Sequence, residues 1–163
     1  MNSKGLFSRE TDDWKTPEKL YKAFIDKGFI DPCPYKATEN GLIKQYENKK
    51  LFINPPFSKM KEWIDYAIRR WYDDCEIALL IPARTDTKYF HEILTTNPDI
   101  YFIKGRLHYN ESEKNAPFPS VLIWLSNYWK SQFRRYYSVS LEELINIIME
   151  DKLWRKENGV YMS

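Results

Sequence analysis

Apolar residues recur along this chain in two rhythms. After Thr16-Pro17, the positions Leu20, Ala23 and Phe24 fall on one helical face before Gly28. This predicts a helix with Thr16 as its cap and Pro17 as its first helical residue. From Ser58, the positions Trp63, Ile64, Ala67, Ile68 and Trp71 repeat at the same spacing, and a shorter helix is expected over 86–94 with Asp86 as its cap. Ser140 with Glu143 forms a capping-box pattern ahead of Leu141, Leu144, Ile145, Ile148 and Met149. Between these segments lie short continuous apolar runs that predict buried strands: Phe29-Ile30, Leu51-Phe52-Ile53, Cys75 to Ile81, Ile100 to Ile103, and Val121 to Leu125. The stretch from Pro34 to Lys50 is polar and irregular and is expected to be a long loop.

Helices alternating with buried strands predict an α/β architecture, a mostly parallel sheet with helices on both faces. In such sheets ligands sit beyond the carboxyl ends of the strands. The loops after Ile30, Ile53 and Ile81 all run into proline and are expected to converge at that edge. The chain of 163 residues is expected to form one domain, residues 1–163, with residues 1–12 flexible and no separate target-recognition domain.

Composition narrows the choice of chemistry. Apolar residues at 43% supply a core, and a formal net charge of +2 neither demands nor excludes a polyanionic partner. The apolar runs are too short to cross a bilayer and the first residues lack a signal-peptide stretch, so a cytoplasmic location is expected. Two separated cysteines, Cys33 and Cys75, and two histidines, His91 and His108, provide no metal-ligand spacing, so no metal is expected.

The most specific motif is Asn54-Pro55-Pro56-Phe57, directly after an apolar strand. An exocyclic adenine nitrogen is a poor nucleophile because its lone pair is delocalised into the ring. The Asn54 side-chain oxygen and the Pro55 carbonyl, held rigid by the prolines, suit acceptance of both amino hydrogens, and Phe57 suits stacking on a flipped-out base. The plainer reading is that Asn-Pro-Pro merely terminates a strand. Arg84 at the same edge suits a phosphate or base contact. Scattered cations, among them Lys59, Lys61, Lys104 and Arg106, and the interleaved aromatics and bases of Trp129 to Tyr137, including Arg134 and Arg135, suit nucleic acid or an ordinary solvated face. Trp63 and Trp71 are expected in the core.

Asp13-Trp14-Lys15-Thr16-Pro17, Asp31-Pro32-Cys33, Asn54-Pro55-Pro56-Phe57-Ser58, Trp63, Pro82-Ala83-Arg84-Thr85-Asp86, Gly105-Arg106 and Ala116-Pro117-Phe118-Pro119-Ser120 together resemble the phage-type (Dam-like) DNA N6-adenine methyltransferases, from about Asp12 to Leu125. The resemblance implies a Rossmann-like methyltransferase fold, S-adenosylmethionine as cofactor, double-stranded DNA as partner and adenine as target. It implies that Asn54, Pro55, Pro56 and Phe57 are the catalytic loop. Thr16 and Pro17 would contact the methionine end of the cofactor, with Trp14 also binding it, Asp31, Pro32 and Cys33 as the first cofactor motif and Asn54 also at the cofactor. Ser58, Lys59, Arg84, Arg106, Arg134 and Arg135 would face nucleic acid. A viral origin and work in the host cytoplasm are implied on the same basis. The sequence departs from larger adenine methyltransferases in having no glycine-rich turn after Asp31, and no acidic residue for the cofactor ribose is identifiable. Three alternatives stay open: an RNA adenine methyltransferase, a protein glutamine methyltransferase, and an inactive nucleic-acid-binding module on the same fold.

Overall fold

The computed structural model describes residues 14–109, 116–126 and 135–151. Its elements, in order, are α1 (Glu18–Asp26), β1 (Lys50–Ile53), α2 (Met60–Tyr72), β2 (Glu76–Pro82), α3 (Lys88–Leu94), β3 (Asp99–Ile103), β4 (Ser120–Leu125), β5 (Arg135–Val139) and α4 (Leu141–Met149). The strands form one sheet in the order β1-β2-β4-β3-β5. β1 pairs parallel with β2 and β3 parallel with β5, while β4 runs antiparallel to both β2 and β3. Every described strand except β4 therefore points the same way. A continuously buried strand presents the same apolar run in either direction, so the reversal of β4 is invisible in the hydrophobic pattern.

The sheet separates two cores. Leu20, Ala23 and Phe24 of α1, with Leu144 and Ile148 of α4, pack on the face carrying Phe52, Ala78, Leu80, Leu122 and Trp124. Met60, Trp63, Ile64, Ala67 and Trp71 of α2, with Phe90 and Ile93 of α3, cover the face carrying Leu51, Ile53, Ile77, Leu79 and Ile123. Alternate residues of one strand thus serve opposite cores, as the pleat requires, and helices lie on both faces as expected. Trp63 and Trp71 are core residues. Within the first core Phe24 stacks on Phe52 with ring centroids 4.4 Å apart.

Element ends follow local chemistry, with informative exceptions. Gly28, at φ +80°, takes the left-handed conformation that closes α1. Ser140 and Glu143 form the expected capping box on α4. At α1, however, Pro17 occupies the cap position without a side-chain cap, and Thr16 is turned elsewhere. Asp86 does not cap α3 either. Thr87 holds that position, and the Asp86 carboxylate lies 3.7 Å from the Arg84 guanidinium. Phe29-Ile30 is reduced to a single bridge in which Ile30 pairs parallel with Leu51. The loop from Pro34 to Lys50 contains one 3-10 turn, Gly41–Ile43, capped by the Asn40 side chain.

β5 was not expected as a strand. Arg135 forks onto Asp99 with two hydrogen bonds of 2.9 and 2.7 Å, and Tyr137 stacks on Tyr101 at 4.6 Å. The aromatic and basic character read as a nucleic-acid signal is, over this stretch, a cross-strand ladder at a sheet edge. Among the described residues no helix is long and apolar enough to cross a membrane, and no group of His, Cys, Asp and Glu is placed to hold a metal ion.

Candidate active site

Strand direction determines what meets at the edge beyond Ile53. Ile30 and β1, β2, β3 and β5 point the same way, so the loops leaving Ile30, Ile53 and Pro82 emerge together, as expected, and the loop leaving Ile103 joins them. Because β4 runs the other way, its leading segment Ala116 to Pro119 arrives at that edge too. The Ala83 N–H donates to the Pro119 carbonyl at 2.9 Å, which ties the two segments together.

Asn54 is the centre of this edge. Its side-chain NH2 donates to the Trp14 backbone carbonyl at 2.6 Å and to the Thr16 hydroxyl at 3.0 Å. Its own backbone carbonyl accepts a hydrogen bond from the Cys33 thiol at 3.3 Å. Segments from three distant parts of the sequence, at 14–16, 31–33 and 54, are thereby joined. Thr16 is buried and engaged with Asn54, which explains its absence from the α1 cap.

A cavity of about 310 Å³ opens beside this junction, and its lining includes Trp14, Thr16, Tyr21, Asp31, Cys33, Tyr35, Asn54 and Pro56. Asp31 accepts from the Cys33 backbone N–H at 2.8 Å and from the Tyr21 hydroxyl. Burial nevertheless pushes its pKa up to about 6, against the lowering effect of those hydrogen bonds. Burial also raises the Tyr21 hydroxyl above its ordinary value, with the Asp31 charge adding to the effect.

A second cavity of about 340 Å³ shares Cys33, Pro34 and Pro56 with the first and extends to Glu39, Gly41, Ser58, Lys59 and Trp63. Gly41 supplies a close approach that the sequence around Asp31 does not offer. A Cβ there would lie 1.7 Å from the Pro32 carbonyl oxygen, so only glycine lets the 3-10 turn pack on the Asp31-Pro32-Cys33 turn. Gly41 was missed as a site residue because its contact is with the backbone of a residue nine positions away. Its one visible signal was a lone glycine in a polar loop.

Phe57 packs in an aromatic cluster. Trp14 lies 5.8 Å from Phe57, 5.4 Å from Phe118 and 5.6 Å from Tyr109, and Phe57 meets Phe118 edge-on at 5.0 Å. Tyr109, Phe118 and Gly41, with the cavity-lining Tyr21 and Tyr35, are among the residues that the sequence reading did not assign to the site. The buried indole N–H of Trp14 has no acceptor among the described residues.

The expected nucleic-acid residues divide. Ser58 and Lys59 line the second cavity, and Arg84 and Arg106 are exposed on segments leaving β2 and β3 at the same edge. Arg135 opens β5 and pairs with Asp99 at the start of β3, which puts it at the opposite edge of the sheet from Asn54. Its guanidinium is held by a carboxylate rather than offered at the site. Arg134 lies outside the described residues.

A family model described as DNA N-6-adenine-methyltransferase (Dam) matches residues 4–150. No curated protein and no solved structure matches the chain.

Proposed function

The chain belongs to the DNA N-6-adenine-methyltransferase (Dam) family, and from that premise we propose that it transfers a methyl group from S-adenosylmethionine to the N6 amino group of a flipped-out adenine in double-stranded DNA. The observation that carries the reading is the anchoring of Asn54. Both hydrogens of its amide are engaged by Trp14 and Thr16, which leaves the side chain only an acceptor, beside a cavity with a buried carboxylate.

The residues around that cavity fit the cofactor. The volume is at the lower end of the usual range for small-ligand pockets. Asp31 has the charge to pair with an ammonium group, and the rings of Trp14, Tyr21 and Tyr35 suit a sulfonium cation. Pro17, Pro32 and Cys33 complete the segments that would hold it, while the Thr16 hydroxyl is taken up by the Asn54 amide. When bound, S-adenosylmethionine supplies an electrophilic methyl group that a nitrogen can take directly, without a covalent enzyme intermediate.

The protein's own contribution is orientation and electrostatics. Asn54 Oδ1 and the Pro55 carbonyl accept the two amino hydrogens, and these bonds strengthen as positive charge develops on the nitrogen. Pro55 and Pro56 have no N–H and a fixed φ, so the acceptor loop cannot relax into ladder pairing. Phe57 offers a ring to the base, with Phe118 as its edge-on neighbour. Ser58, Lys59, Arg84 and Arg106 face the DNA backbone, and the surplus amino proton leaves to solvent. We place the reaction in the cytoplasm, that of the host if the gene is viral.

The test is to incubate the protein with methyl-labelled cofactor and, separately, unmethylated DNA and RNA, then digest to nucleosides. Label in N6-methyl-2′-deoxyadenosine is the expected result. Label only in RNA would overturn the acceptor. Failure of the cofactor to bind, with DNA still bound, would make the chain a binding module on this fold.

A further inference from the structure

We propose that Thr16 is a positioning residue for methyl transfer: with the Trp14 backbone carbonyl, it locks the Asn54 amide in the one orientation that leaves Oδ1 as the side-chain acceptor. The inference rests on the reading of Asn54 as the acceptor of the amino hydrogens. It assigns Thr16 a task other than holding the cofactor.

A side-chain amide has nearly the same shape after a half-turn that exchanges its NH2 and its oxygen. For an amino-group acceptor, the two orientations are opposite in effect. One presents a carbonyl oxygen to the substrate N–H groups, and the other presents N–H against N–H. A loop that only holds the Asn54 backbone leaves that choice open.

The surroundings remove it. The Trp14 carbonyl is 2.6 Å from the amide and can only accept, so the atom facing it must be a donor. The reversed amide would set two oxygens at that separation. The Thr16 hydroxyl takes the second amide hydrogen at 3.0 Å, and Thr16 is only 8% exposed, so water has little access to replace it. The Cys33 thiol holds the Asn54 backbone carbonyl at 3.3 Å, fixing the main chain on which the amide turns. The same geometry disfavours an aspartate here: a carboxylate at position 54 would face the Trp14 carbonyl with no hydrogen to give it.

The test compares Thr16→Val, which keeps the shape and removes the acceptor, with Thr16→Ser, which keeps the hydroxyl. Methyl transfer is followed in a single turnover at saturating S-adenosylmethionine and DNA, and the cofactor Kd is measured by calorimetry. Thr16→Val is expected to slow the transfer about fivefold to tenfold, the size of one neutral hydrogen bond lost from the support that keeps the amide aligned. The Kd is expected to stay within about twofold, and Thr16→Ser to recover most of the rate. Asn54→Asp is expected to be slow at neutral pH despite its stronger acceptor. A Thr16→Val protein that binds the cofactor weakly but transfers at the normal rate once saturated would overturn the proposal and make Thr16 a cofactor ligand. A second readout needs no activity. In ¹⁵N spectra the Asn54 side-chain NH2, identified by its loss in Asn54→Ala, should exchange slowly in the wild type and faster in Thr16→Val. Equal exchange in both proteins would also overturn the lock. If the wild type methylates no DNA, the function reading fails, and the exchange measurement still decides the lock.

Discussion

The two ends of the sheet use similar residues for opposite purposes. At the end beyond Ile53, Phe57, Tyr109 and Phe118 cluster around Trp14, whose carbonyl holds Asn54, with Lys59, Arg84 and Arg106 on the surrounding loops. Toward the other end, Tyr101 stacks on Tyr137, and Arg135 forks onto the buried carboxylate of Asp99. In the sequence both regions are aromatic and basic. In the fold, Trp14 and Lys59 of the first region line cavities near an amide whose donors are engaged, while the second forms a ladder in which Arg135 and Asp99 hold each other. Strand direction makes the difference: β3 and β5 begin where β1 and β2 begin, so what they carry first lies far from the Asn54-Pro55-Pro56-Phe57 loop. Aromatic and basic composition alone therefore does not mark a nucleic-acid surface.

Four perturbations test that contrast, in descending order of effect. Gly41→Ala forces a Cβ into the Pro32 carbonyl, a contact of 1.7 Å with backbone that cannot swing aside. It is expected to destabilise the fold by about 3 kcal/mol, the upper end of overpacking effects, and to weaken cofactor binding, both visible in denaturant titration with and without cofactor. A normal stability would mean the two turns do not depend on each other.

Asp99→Ala strips Arg135 of its charged partner and removes two charge-assisted hydrogen bonds. A stability loss of roughly 2 kcal/mol is expected, read as a lower denaturation midpoint, with cofactor and DNA affinity unchanged. A matching loss of DNA affinity would put the β5 end back into the nucleic-acid surface.

Asp31 gives the pH dependence. With a pKa of about 6 in the cofactor-free protein, it is ionised at neutral pH and protonated as pH falls below that value. Pairing with an ammonium group needs the charged form, so cofactor affinity should be flat above neutrality and fall by up to about tenfold per pH unit well below 6. The sign for folding is opposite. A carboxyl whose folded-state pKa is raised favours the folded state below its unfolded pKa of 3.8, and that contribution is lost as pH rises through about 6. Calorimetry across this range, with Asp31→Asn as the pH-insensitive control, checks both. The smallest effect is expected from Lys59→Ala, which should weaken DNA binding a few-fold and lower the salt slope by about one, while Arg135→Ala leaves the slope unchanged.

What could be read from the chain follows from the range of the interactions involved. α2 and α4 were legible because their apolar spacing and the Ser140–Glu143 box are local. The convergence of the loops after Ile30, Ile53 and Ile81 followed from strands of one direction, and the Asn54-Pro55-Pro56-Phe57 loop stood out because its proline pair follows an apolar strand. The rest depended on contacts between distant residues. Thr16 reads as a helix cap until Asn54, 38 residues away, takes its hydroxyl. β5 hides because Arg-Tyr-Tyr-Ser-Val is an edge strand, whose exposed side chains blur the alternation that marks a half-buried one. Gly41 gains its meaning only from the Pro32 carbonyl.

The central claim is that Asn54 accepts hydrogens from the adenine amino group that is methylated. The direct measurement is a single turnover with methyl-labelled S-adenosylmethionine and unmethylated DNA, comparing wild type with Asn54→Ala after digestion to nucleosides. The account predicts label in N6-methyl-2′-deoxyadenosine from the wild type, and a rate at least about a hundredfold lower in the variant with DNA still bound. Equal rates from the two proteins would contradict it and move the acceptor away from this loop.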